Sequence, residues 1–160
     1  MATCKRLNVQ RGASLVELVA TITLLGILAV SVLPRFTSRG GFVEYALKDQ
    51  LTGLYLAAQQ RAMFDHSGAC YALDITATGA SIEKDAALLN DQSHIDFSGD
   101  YAGLSVTATT VYFDPLGNVL TGGTDCSSAT AIAGVLNISV SGDATASMSI
   151  YPTGYVARNL

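Results

Sequence analysis

Glu17 is a carboxylate in an unusual place. It is the only charge in the run "ASLVELVATITLLGILAVSVL", which extends from Ala13 to Leu33. An acid in apolar surroundings needs a cationic partner, or it is held there at a cost. The nearest cation in the chain is Arg11, which would give a local and exposed pair. A cut between Gly12 and Ala13 would supply a second kind of partner. It would place a new α-amine one helical turn from Glu17. A neighbouring molecule shifted along the helix axis could then offer that amine to the carboxylate. The chemistry implied is peptide cleavage performed on the chain and charge pairing between chains.

No set of residues points to catalysis by the chain itself. His66 and His94 are the only histidines, and neither falls into a metal-ligand spacing such as H-x-x-x-H. His66 reads as a capping or surface residue near a helix end. Asp114 in "FDPLG" and Asp125 in "GGTDC" lack the acidic density of a calcium loop and read as turn formers. A hydrolase elbow, a phosphate-binding loop and a dinucleotide fingerprint are all missing from the sequence. The sequon at Asn137 lies in a strand-like run and carries no weight. The expectations are therefore no enzyme, no cofactor and no metal.

The surrounding elements must position Glu17. The first 12 residues carry Lys5, Arg6 and Arg11 with no acid, so the net charge of −4 leaves −7 for everything after Gly12. Such a balance argues against nucleic acid as a partner. A basic stub before about 20 apolar residues predicts a membrane-spanning helix with a cytoplasmic N-terminus and an exported remainder. Pro34 predicts a kink, and Gly40 and Gly41 form a second weak point. Beyond them "FVEYALKDQLTGLYLAAQQRAMF" resumes helical periodicity. Val43, Leu47, Leu51, Leu54, Ala58 and Ala62 share one face, with Glu44, Lys48, Gln59 and Arg61 largely elsewhere. One interrupted helix from Ala13 to Phe64 would be roughly 75–80 Å long.

After "DHSGAC" the period changes to 2. "CYALDIT", "ASIEK", "LSVTA", "TVYF", "VLNISVS", "SMSIY" and "YV" predict an antiparallel sheet, or a pair of small sheets, packed on the amphipathic helix. The predicted class is α+β: a long N-terminal helix on a small β head. The divisions are a leader over 1–12, a spanning helix over 13–35, its amphipathic continuation over 36–66 and the head over 67–160. Cys4 falls in the leader. Cys70 and Cys126 form an even pair in the exported part, where an oxidising compartment favours a disulfide. The bridge would contribute about 4 kcal/mol by loop closure; two independent buried thiols are the other reading.

Lys5, Arg6 and Arg11, followed by Gly12, Ala13, Ser14, Leu15, Val16, Glu17 and the long apolar run, resemble the leader and N-terminus of type IV prepilins and type II secretion pseudopilins. The resemblance implies the pilin fold, cleavage after Gly12 by a prepilin peptidase and N-methylation at Ala13. Phe or Met is commoner in the family at the position of Ala13. Glu17 takes the place of the subunit-docking acid, and Pro34 falls 22 residues after Gly12, where many members have a proline. "TVYFDPLGNV" and "SMSIYPTGYV" resemble strand-turn segments of H-type pseudopilins. "PRFTSRGGFVEYALKDQLTGLYLAAQQRAMFDHSGAC" is similar to the C-type minor pilin of mannose-sensitive haemagglutinin pili.

The expected function is that of a minor subunit of a type IV pilus or a secretion pseudopilus. It would reside in the bacterial inner membrane with a periplasmic head before entering the filament. Its partners would be the peptidase, other subunits and the inner-membrane assembly platform. A membrane-anchored binding or adhesion module that never enters a filament is the alternative.

Overall fold

The structure is a computed structural model and describes residues 14–37 and 41–158, without the side chains of 29–37, Asp91 and Arg158. The chain divides into two compact units, Met1–Arg39 and Gly40–Leu160.

The first unit contains helix α1, Leu15–Thr37. The second begins with helix α2, Phe42–Phe64. The single long helix, and with it the pilin fold, is therefore corrected to two separate helices. The physical reason lies at Gly41, the N-cap residue of α2, whose φ of +89° is left-handed. Only glycine adopts that conformation readily, and a helix cannot run through it. The spanning helix and the single-pass inner-membrane placement are corrected as well. Among the described residues no helix is long and apolar enough to cross a membrane.

Among the described residues of the second unit there are eleven strands, all paired antiparallel. They are β1 (Tyr71–Ile75), β2 (Gly79–Lys84), β3 (Ala87–Leu88), β4 (His94–Asp96), β5 (Ser105–Val106), β6 (Thr109–Phe113), β7 (Val119–Thr121), β8 (Thr130–Ala131), β9 (Leu136–Ser141), β10 (Thr145–Ile150) and β11 (Val156–Arg158). One sheet runs β3-β2-β1-β6-β7-β8 with β4 also on β2, and the other runs β11-β10-β9-β5.

Helix α2 packs against β1, β2 and β6 of the first sheet and β9 and β10 of the second. Leu47, Leu51, Tyr55 and Ala58 of α2 are fully buried with Leu73, Val111, Ile138 and Ile150. Covered by two sheets, α2 buries more than one stripe. Glu44, Lys48 and Thr52 are buried too. The Glu44 Oε1 accepts the Ala144 N–H at 3.0 Å in the β9–β10 turn. Backbone donors, Ala144 foremost, hold its carboxyl below the usual value. A Cβ on Gly142 would meet that oxygen at 2.5 Å, so a side chain there would displace the Glu44 carboxylate.

Two turns that read alike in sequence also fold alike. In Asp114–Asn118 and Tyr151–Tyr155 the Gly117 and Gly154 N–H groups donate to Asp114 and Tyr151 carbonyls, each at 2.9 Å. Proline stands second in each turn, and Gly117 and Gly154 take φ of +82° and +79°. One side chain holds both: Gln59 Nε2 donates to the Gly117 carbonyl at 2.8 Å and the Gly154 carbonyl at 3.0 Å. Tyr55 Oη adds a bond to the Gly154 carbonyl at 2.9 Å. The Val119 N–H donates to the Pro152 carbonyl at 3.3 Å, joining β7 of the first sheet to the β10–β11 turn of the second.

Candidate functional site

The start of α1 is shaped by its own sequence. The Leu18 N–H donates to the Ser14 carbonyl at 3.1 Å, which makes Ser14 the residue that caps the helix. Glu17 lies in the first turn, three residues on. Ser-x-x-Glu is the spacing of a capping box, and a carboxylate there faces the positive end of the helix dipole. This local reason for Glu17 stands in the sequence "SLVE" and is the signal that a reading centred on the apolar run passes over.

From residue 15 to 28 the exposed side chains of α1 are apolar, Glu17 and two threonines apart. Leu15, Val16, Leu18, Ile22, Leu24, Leu25, Ile27 and Leu28 are each more than half exposed. Covering them would contribute on the order of 10 kcal/mol. The two hydroxyls in the stretch are turned onto the backbone. Thr21 Oγ1 donates to the Leu18 carbonyl at 2.8 Å, and Thr23 Oγ1 to those of Ala20 and Val19 at 2.9 and 3.0 Å. Threonines bonded this way present their methyl groups outward. From residue 15 to 28, Glu17 is the one charged side chain, and it is exposed. The site is thus a greasy rod with one anionic mark at its start.

The other residues singled out from sequence fall elsewhere. Gly12 and Ala13 lie outside the described residues, and Pro34 is within α1 where side chains are not described. Cys70 and Cys126 belong to the second unit and are joined as a disulfide across 56 residues. It ties the segment between α2 and β1 to the loop between β7 and β8. Asp114 organises its own turn, accepting the Leu116 and Asn118 N–H groups at 2.9 and 2.7 Å. Asp125 does the same with Ser127 and Ser128, and hydrogen bonds from those serines pull its carboxyl down to about 2. His66 Nδ1 lies 2.8 Å from the Phe64 carbonyl just past the end of α2. Among the described residues no group of three or more His, Cys, Asp or Glu side chains could hold a metal ion.

A second acid network sits at the C-terminus of α2. Asp65 accepts Lys84 Nζ at 2.9 Å, Tyr71 Oη at 2.8 Å and the Ser67 N–H at 2.8 Å. Hydrogen bonds from Ser67, Lys84 and Tyr71 hold its carboxyl far below the ordinary range. It fastens the helix end to β1 and β2, a structural role that leaves no group free for chemistry.

No protein-family model, curated protein or solved structure matches this chain.

Proposed function

We propose that the chain is a filament subunit, a minor pilin or pseudopilin, processed after Gly12 and incorporated through α1. The filament would be a type IV pilus of the mannose-sensitive haemagglutinin type or a type II secretion pseudopilus. One observation carries the reading: from residue 15 to 28, α1 exposes an apolar surface marked by the single carboxylate of Glu17. Surface of that extent marks an interaction site. The isolated acid is a cost within such a seam unless a cation meets it there. Cleavage after Gly12 would generate that cation as the α-amine of Ala13, with or without methylation, on an adjacent subunit.

The partners in this reading are a prepilin peptidase, other subunits of the filament and the platform on which it is assembled. The β-rich unit would be the part that other molecules meet. Its net-acidic character argues against nucleic acid there.

The test combines processing with incorporation. In cells making the filament, Glu17→Ala should leave a mature N-terminus at Ala13 and lower the amount of subunit in sheared filaments about tenfold or more. Gly12→Trp should leave the leader uncut. Wild-type incorporation of Glu17→Ala would remove the docking role, and an N-terminus other than Ala13 in the purified filament would overturn the processing.

A further inference from the structure

Ala72 and Tyr112 point away from the core and are buried nonetheless. They alternate with Tyr71, Leu73, Val111 and Phe113, which belong to the core cluster on the α2 side. Ala72 and Tyr112 are cross-strand partners on the opposite face, yet only 3% and 8% exposed. Their cover is the segment between β7 and β8, residues 122–129. Tyr112 Oη donates to the Gly123 carbonyl at 3.2 Å, and the Cys126 sulfur lies 3.8 Å from the Phe113 carbonyl. Between this strap and the sheet is a cavity of about 360 Å³ with Ala72, Glu83, Tyr112 and Asp125 in its walls.

The ends of the strap are secured by the pairing of Leu120 with Ala131 and Thr121 with Thr130. Its internal bonds only fold it on itself. Asp125 Oδ1 accepts the Ser127 and Ser128 N–H groups at 2.9 and 2.8 Å, and the Ala129 N–H donates to the Asp125 carbonyl at 2.9 Å. Among the described residues, the middle of the strap is tied down at Cys126, through the disulfide, its N–H on the Cys70 sulfur at 3.0 Å and its sulfur near the Tyr71 and Phe113 carbonyls, and by the Tyr112 hydroxyl. Both cysteines are half-buried, and neither is part of the core.

We infer that residues 122–129 form a thiol-gated cover. Reducing the Cys70–Cys126 disulfide would release the strap locally and open the outer face of the sheet at Ala72 and Tyr112, while the two-sheet core stays folded. The step is thiol–disulfide exchange with a dithiol. One thiolate of the dithiol attacks a cystine sulfur to give a mixed disulfide. The second then displaces the protein thiolate and closes its own disulfide. Two electrons and two protons pass to Cys70 and Cys126. A segment held by so few ties opens independently of the global fold, and the reverse exchange recloses it.

The experiment is hydrogen exchange on the full chain, oxidised and then reduced with dithiothreitol, alongside the double variant Cys70→Ser/Cys126→Ser. Expected is a fall in protection by a factor of about 10 or more over residues 122–129, with Leu73, Val111, Ile138 and Met148 still protected. Nitration of Tyr112 by tetranitromethane should rise in parallel and return to its low value on reoxidation. Two outcomes overturn the inference. Loss of protection in the core together with the strap would make the bridge a support of the whole fold. Unchanged protection over residues 122–129 in both the reduced protein and the double variant would show that the strap needs no disulfide to stay shut.

Discussion

Gln59 and Tyr55 offer the sharpest test of how the second unit is held together. They lie one turn apart on α2 and share an acceptor, the buried carbonyl of Gly154. Gln59 also serves the buried carbonyl of Gly117. Tyr55→Phe removes one donor and leaves Gly154 satisfied by Gln59, so the cost should be about 1 kcal/mol, the net worth of one hydrogen bond. Gln59→Leu keeps most of the volume but orphans the Gly117 carbonyl while Gly154 retains Tyr55. One lost bond plus one stranded acceptor gives roughly 2–4 kcal/mol. In the double variant Gly154 loses both donors. The stranded carbonyl should then make the pair cost more than the sum of the singles by about 1 kcal/mol. Equilibrium urea unfolding of the four proteins, with the disulfide intact, measures the cycle. Additivity within about 0.3 kcal/mol would refute a shared acceptor. A Gln59→Leu protein within about 0.5 kcal/mol of wild type would refute the bridging role itself.

Two further outcomes follow from the backbone and the buried acid. Asp85 and Ala86 form the two-residue turn between β2 and β3 with φ of +53° and +63°, the left-handed pair of a type I′ hairpin. Alanine is strained there, so Ala86→Gly should stabilise by about 1 kcal/mol, read as a rise of a few degrees in the thermal midpoint; a fall would contradict the strain. Glu44 has its folded pKa below the ordinary 4.5, so its contribution is complete above that value and is lost as pH falls through the folded pKa. Glu44→Gln should therefore be less stable than wild type near neutral pH and converge with it in acid. A pH-independent difference in thermal midpoint would count against the ionised clasp.

The sequence shows the second unit's elements better than it shows what joins them. Each of the seven alternating runs, from "CYALDIT" to "YV", contains or overlaps an observed strand. Strands β3, β4, β7 and β8 have two or three residues each, too few for an alternation to register. Along α2 the expected stripe is correct at Leu47, Leu51, Ala58 and Ala62, but Glu44 and Lys48, expected off that stripe, are buried as well. Glu44 finds its donor 100 residues away. Lys48 lies 5.2 Å over the Tyr45 ring and 3.7 Å from the Asp49 carboxylate. The donor to Glu44, 100 residues away, leaves no local trace. The twin turns "DPLGN" and "YPTGY" are visible as turns, whereas Gln59, which draws them together, looks like any polar residue of a helix. Between the two helices the sequence marks Gly40 and Gly41 only as a weak point within one interrupted helix. The outcome turned on one dihedral angle, that of Gly41.

The inward-bonded hydroxyls of Thr21 and Thr23 have a consequence for how α1 can be seated. A cylinder whose flanks are uniformly oily can be spun about its long axis with little change in energy, because each azimuth meets a neighbour equally well. Hydrophobic contact alone would then leave the angular setting undefined. In the proposed seam Glu17 would break that degeneracy as a key fixes a shaft in its hub: a cation that received it would set both the rotation and the depth of insertion.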